Sequence, residues 1–134
     1  MLRLPSIAAV LLALLVAGCG ASGESTADLG EAEQEVAQVV EDLEEAAGED
    51  EPRRVCTALL ARSLTQRLGN GCTQAVERAF DGSDTPRLNV KSVRISGSTA
   101  RAEVETGADE DQVEVLSFVR EGDDWRIAAF AGGR

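Results

Sequence analysis

Apolar residues in the first half of the chain recur at intervals of three and four positions, which is the spacing of an amphipathic helix. Residues 31–47 carry one such stripe on an otherwise acidic segment, formed by Ala32, Val36, Val39, Val40, Leu43 and Ala47. Gly48 is the expected end of this first helix. Asp50 suits the N-cap of a second helix, and Pro52 suits its first turn.

The second helix is expected to continue in a short segment that ends at the Gly-Asn-Gly turn 69–71, and a third helix is expected from Cys72 to Phe80. Each helix repeats its apolar residues at helical spacing, so each is expected to bury one face. The positions predicted to face the core are Val55, Cys56, Leu59 and Leu60, then Leu64 and Leu68, and finally Ala75, Val76, Ala79 and Phe80.

After residue 86 the period changes to two, which is typical of β-strands. Four strands are predicted, at 86–96, 99–106, 112–121 and 124–130. The first has uneven apolar spacing, which indicates a bulge. Inward positions are expected at Ala100, Ala102, Val104, Trp125, Ile127 and Ala129. The order of elements predicts an α+β domain, with three N-terminal helices packed on a curved four-stranded antiparallel sheet.

Residues 1–18 have the pattern of a secretion signal, because Arg3 precedes an apolar run at 7–16 that is too short to be a permanent membrane span. The segment ends in Leu-Val-Ala-Gly-Cys, which resembles the lipobox of bacterial lipoproteins. The resemblance implies that Cys19 carries acyl chains such as palmitate and becomes the mature N-terminus. The alternative is an ordinary signal peptide that ends near a cysteine. Residues 19–29 are then the lipidated Cys and a flexible tether, and 30–134 a single domain.

Cys56 and Cys72 form an even pair in a domain expected outside the cytoplasm, where such pairs are usually oxidised. A disulfide between them closes a loop of about 15 residues, for which the chain-entropy model gives roughly 3 kcal/mol of stabilisation. The alternative is a pair of free buried thiols. Redox chemistry favours Cys-x-x-Cys, and two thiols alone leave a zinc site incomplete.

The chain of 134 residues has a formal net charge of −11 and contains neither His nor Tyr. Its acidity argues against binding to nucleic acids or to anionic lipid head groups. Without His, the commonest general base and metal ligand is missing, and no metal or cofactor is predicted. The alternation predicts that the carboxylates of the second half point outward: Glu77, Glu103, Glu105 and Glu114.

The whole domain resembles the nuclear-transport-factor-2-like superfamily, and within it small lipoproteins of actinobacteria. Three stretches carry the resemblance: the first helix with its exit at 48–50, residues 55–60 with a second Cys at 72, and the hairpin 116–127. The resemblance implies a cone-like fold with a cavity between helices and sheet. The aromatic residues expected to line it are Phe80, Phe118 and Trp125, although Trp125 also suits a place in the core.

These observations predict a non-catalytic lipoprotein on the extracytoplasmic face of the cell membrane, which binds a small apolar ligand or an envelope protein. Catalytic members of the superfamily use Tyr, His or sets of Asp, and the first two residue types are absent here. The alternative is an enzyme of the same fold that uses a buried carboxylate.

Overall fold

The computed structural model of the protein describes residues 29–80, 87–107 and 112–131. The predicted signal segment, Cys19 and nearly all of the tether lie outside these residues. So do the acidic segments 81–84 and 109–111, which the sequence predicts to be turns. The described part is an α+β domain in which helices precede a four-stranded antiparallel sheet, as the sequence predicts.

The helices fill residues 31–80. Their bounds are Glu31–Gly48 for α1, Pro52–Arg54 for α2, Arg62–Leu68 for α3 and Cys72–Phe80 for α4. The short α2 widens into a π-helical turn at Val55–Leu59, closed by the N–H of Leu60, which donates to the carbonyl of Val55 over 3.0 Å. The predicted second helix is therefore one α-turn followed by a π-turn.

The sheet follows the chain order, with each strand antiparallel to the next. The strands are β1 at Leu88–Ser96, β2 at Thr99–Thr106, β3 at Val113–Glu121 and β4 at Asp124–Ala131. The β1–β2 register shifts between Val90 and Ser92, which confirms the predicted bulge. The predicted alternation of β2 is confirmed as well, because Ala100, Ala102 and Val104 are all buried.

A second irregularity, which the sequence does not predict, lies between β3 and β4. Ser117 pairs with Ala129, but Phe118 pairs with Ile127, so β4 carries one extra residue. A one-residue shift changes the face to which the following side chains point. The expectation that Ala129 faces inward was wrong, because Ala129 is exposed and Phe130 instead stands opposite the buried Leu116.

Helix α1 covers the inner face of the sheet and packs chiefly against β1. Val36, Val40 and Leu43 are buried as predicted, in a core that includes Phe118 and Ile127. The buried stripe is completed by Ala37 and Ala46, whereas the predicted Ala32 is exposed and Ala47 only half-buried. The inward face of α1 is therefore rotated slightly from the expected one.

The exit of α1 also differs from the prediction. Asp50 has φ 55° and makes no N-cap, and the residue before α2 is Glu51. The N–H of Glu51 donates to the carbonyl of Ala46 and that of Asp50 to the carbonyl of Ala47, which together form a Schellman motif. Asp50 thus ends the first helix instead of starting the second.

Candidate functional site

An apolar cavity of about 470 Å³ opens at the end of the sheet where β1 and β3 begin and β2 and β4 end. Its principal apolar walls are Leu43, Leu64, Leu68 and Phe80 from the helices and Leu88 and Phe130 from the strands. Leu68 and Phe130 are 37% and 49% exposed, so the rim of the cavity is open to solvent. Its volume falls within the range of about 300–1,000 Å³ that is usual for small-molecule sites.

Helix α3 is held over the sheet by backbone donors at its start. The N–H of Ala61 donates to the carbonyl of Ile127 over 2.8 Å, and the N–H of Arg62 donates to the Glu121 carboxylate over 2.9 Å. Leu64 and Leu68, four residues apart, lie on the same face of α3. Fixing the start of α3 to β4 therefore directs both leucines into the cavity wall.

A disulfide joins Cys56 and Cys72, whose Cα atoms are 6.2 Å apart. This confirms the predicted bond. It joins the π-helical turn to the first residue of α4. Val55 and Val76, one on each of these segments, both line the cavity. The disulfide thus ties together two parts of the cavity wall.

Of the described residues that line this cavity, two have polar side chains, Thr106 and Glu114. Glu114 pairs with Val104 across β2 and β3, so it lies on the inner face with the core residues. The expectation that Glu114 points outward was wrong. The reason is that β3 has valines on its outer face, at Val113 and Val115, and apolar alternation therefore does not distinguish its two faces.

The three aromatic residues expected to line a pocket are placed differently. Phe80 lines the apolar cavity. Phe118 is 2% exposed and belongs to the core between helices and sheet, outside the cavity lining. Trp125 is 4% exposed and borders a separate groove at the other end of α1. Phe130 was missed because the irregularity in β4, which turns it inward, leaves no mark in the sequence.

That second hollow, of about 660 Å³, is called here the acidic groove. It lies between the first three turns of α1 and the β3–β4 turn. Its carboxylates are Glu31, Glu35, Asp42, Asp123 and Asp124. The indole Nε1 of Trp125 is buried without a hydrogen-bond partner among the described residues, and the Arg120 guanidinium lies 5.5 Å from the ring centre. The groove is thus mainly polar, with one aromatic side chain at its base.

A further ion pair lies on the outer face of the sheet. The Lys91 ammonium is 2.9 Å from the Glu105 carboxylate, and the hydrogen bond from Lys91 lowers the pKa of Glu105 below its ordinary value. Desolvation by burial raises the pKa of Glu105 in the opposite direction, but the hydrogen bond outweighs it. Within the part of the chain that the structure describes, no three His, Cys, Asp or Glu side chains converge as a metal site.

No described helix is both long and apolar enough to cross a membrane. Comparison of the chain with protein-family models, with curated proteins and with solved structures finds no match.

Proposed function

We propose that this protein binds a small apolar ligand in the cavity between α3, α4 and the sheet, and that a lipid on Cys19 holds the domain at the extracytoplasmic face of the cell membrane. The observation that supports ligand binding is the apolar cavity. Five leucines and two phenylalanines converge there, with two polar side chains among the described lining residues. Burial of apolar ligand surface against such walls is favourable by roughly 25 cal/mol per Å².

Binding without catalysis is the better interpretation of the residues at hand. Among the described residues that line the cavity, one carries a carboxylate, Glu114, and one a hydroxyl, Thr106. General acid–base catalysis is most efficient with a group whose pKa lies near the operating pH, and His is the residue that most often supplies it. The chain has no His.

The lipid anchor is supported by the sequence pattern that ends at Cys19. The described residues begin at Leu29, so nine residues, 20–28, separate them from Cys19. An extended chain reaches about 3.3–3.6 Å per residue, and such a tether therefore allows the cavity to face the bilayer surface. Apolar ligands concentrate in that bilayer, which makes the location suitable for a domain that binds them.

Photolabelling of the full, membrane-bound chain tests the binding site. An octanol derivative with an alkyl diazirine is added to membranes and activated, and the modified tryptic peptides are mapped by mass spectrometry. Labelling is expected in peptides 63–67 and 127–134, which contain Leu64 and Phe130 of the cavity wall.

A Leu64→Asp variant places a charge in the cavity wall and should abolish labelling of both peptides, because an apolar ligand does not pair with a carboxylate. Val113→Asp is the matched control, since Val113 is exposed outside the cavity lining. Circular dichroism checks that both variants fold. Equal labelling in the folded Leu64→Asp variant, or labelling confined to other peptides, would contradict the proposed site.

The anchor is tested separately. Metabolic labelling with a clickable fatty acid should mark the wild-type protein and leave Cys19→Ala unmarked, with the variant released from the membrane or retained as uncleaved precursor. A wild-type protein that is cleaved elsewhere and carries no label would refute the anchor and leave the binding proposal untouched.

A further inference from the structure

Among the described residues, the inner face of the sheet carries one carboxylate at the wall of the apolar cavity, that of Glu114. The Glu114 side chain is half-buried, and its carboxylate makes no hydrogen bond or ion pair with any other residue that the structure describes. Glu105, at the same end of the sheet on the outer face, is paired with Lys91 over 2.9 Å. The two faces thus differ, because the outer carboxylate has a cation beside it and the inner one has none among the described residues.

A purely apolar ligand in this cavity would remove water from Glu114 and supply nothing in its place. Desolvation of a charged group without a partner is strongly unfavourable. A ligand carboxylate would add repulsion to that penalty, whereas a protonated amine would replace the lost water with charge-assisted hydrogen bonds. The chemistry of the wall therefore selects for a cation at one end of the ligand.

Thr106 offers a second acceptor near the same point. Glu114 stands directly opposite Val104, and Thr106 follows two positions along β2, so the two polar side chains are diagonal neighbours on one face. An ammonium group has three N–H donors. It can therefore donate to the Glu114 carboxylate and to the Thr106 hydroxyl while its alkyl part lies against the leucines.

The surroundings favour a cation too. The Glu44 carboxylate accepts a hydrogen bond from the N–H of Leu88 over 2.7 Å, and Leu88 lines the cavity. Across the whole chain the formal net charge is −11. An excess of negative charge raises the local concentration of cations and lowers that of anions.

We infer that the ligand of the apolar cavity is an amphiphilic amine, with its apolar part against Leu64, Leu68 and Phe130 and its protonated nitrogen at Glu114. This inference rests on the proposed function, since it names the chemical class of the ligand for the same cavity. It assigns Glu114 as the residue that determines specificity for the ligand head group.

Three photoreactive probes that differ only in the head group test the inference on the full, membrane-bound chain. They are alkyl diazirines built on octylamine, octanol and octanoate. The measured quantity is the probe concentration that gives half-maximal labelling of peptide 127–134. Each probe is compared between the wild type and Glu114→Gln, so that partitioning of the probe into the bilayer cancels.

Glu114→Gln keeps the size of the side chain and removes its charge. We expect the half-labelling concentration of the amine to rise by about threefold to tenfold, which is the range for a partly exposed, charge-assisted contact. The value for the alcohol should change by less than about twofold, and labelling by the octanoate probe should improve. Glu41→Gln, an exposed residue of α1 outside the cavity lining, is the matched control and should change none of the three.

High salt should reduce the preference for the amine in the wild type, because screening weakens the attraction. Equal effects of Glu114→Gln on amine and alcohol would overturn the inference while leaving the apolar cavity as a binding site. Failure of all three probes to label the cavity peptides would overturn the proposed function itself. The two failures are therefore distinguishable.

Discussion

The two ends of helix α1 border hollows of opposite character. Its last turns, with Leu43 and Ala47, form part of an apolar cavity, two of whose wall segments are joined by a disulfide. One carboxylate lies among the described residues of that wall. The first turns of α1 border the acidic groove, where five carboxylates and one tryptophan surround a larger hollow. One amphipathic helix thus lines both hollows, because its apolar stripe extends into the cavity and its acidic face borders the groove.

The difference shows that volume alone does not identify the better ligand site. Carboxylates in the acidic groove are mostly exposed and remain hydrated, so a ligand there would have to displace bound water. The described walls of the apolar cavity carry one carboxylate, that of Glu114, among mostly apolar side chains. The smaller hollow is therefore the one that we propose as the ligand site.

Loss of the disulfide at the cavity end should have the largest effect on stability. Replacing Cys56 and Cys72 by Ser is expected to lower the free energy of unfolding by about 3 kcal/mol, since the closed loop no longer limits the unfolded chain. Urea unfolding measures this, and reduction of the wild type is the control. Hydrogen exchange should increase more in α4 than in the first turns of α1, because the disulfide joins α4 to the π-helical turn. An unchanged urea midpoint would contradict the prediction.

A change at the exit of α1 should stabilise the protein by a smaller amount. Asp50 has φ 55°, which non-glycine residues adopt at an energetic cost, so Asp50→Gly is expected to raise the free energy of unfolding by roughly 0.5 kcal/mol. Two causes could contribute: the strain of a side chain at positive φ, and the repulsion between the Asp50 charge and the helix C-terminus. Asp50→Asn removes the charge but retains a side chain, so it separates them. An equal gain in both variants would assign the effect to the helix dipole and not to the backbone.

At the other end of α1, the acidic groove should respond to salt. Asp123→Asn removes one of the five carboxylates, which outnumber the lining cation of Arg126, and is expected to raise the melting temperature by about 1–3 °C at low ionic strength. The gain should disappear at high salt, where the repulsion is already screened. Glu77→Gln, an exposed substitution outside the groove, is the control. A gain that persists at high salt would show that repulsion in the groove is not its cause.

The smallest effect on stability is expected from the ion pair of Glu105 and Lys91 on the outer face of the sheet. The pKa of Glu105 is lowered in the folded protein, chiefly by the Lys91 hydrogen bond, so this pair stabilises the fold above the ordinary carboxyl pKa. That contribution is lost as the pH falls through the lowered pKa. Lys91→Met should therefore show a weaker loss of stability in acid than the wild type. Urea unfolding over the acidic range measures this, and identical acid slopes would contradict it.

Much of the fold is predictable from local pattern. β2 alternates small apolar and charged residues, and the turns on either side of it contain glycines, so its bounds at Thr99–Thr106 follow from the sequence. The third helix is predicted at Cys72–Phe80 for the same reason, since its apolar positions repeat at helical spacing. The disulfide follows from the even number of cysteines in the expected mature domain.

The candidate site is less predictable, because it depends on which way individual side chains face. β3 carries valines outside and Leu116 and Phe118 inside, so its pattern gives no reason to place Glu114 on either face. Ala128 and Ala129 fit both faces of β4, which conceals the extra residue that turns Phe130 inward. The register of the strands in the folded sheet determines the face on which Glu114 and Phe130 lie.

The contacts next to α3 also cover part of an edge strand of the sheet. β1 and β4 are the two edge strands, and part of the outer edge of β4 is covered where Leu60 forms a parallel bridge with Ile127. On the opposite margin, the backbone N–H of Leu88 is already occupied by the Glu44 carboxylate, and the bulge after Val90 interrupts the row of donors and acceptors. Exposed strand edges invite pairing with strands of other molecules, and bulges and coverings discourage it. Copies of this domain that are crowded on a surface therefore have few exposed strand edges through which their sheets could pair.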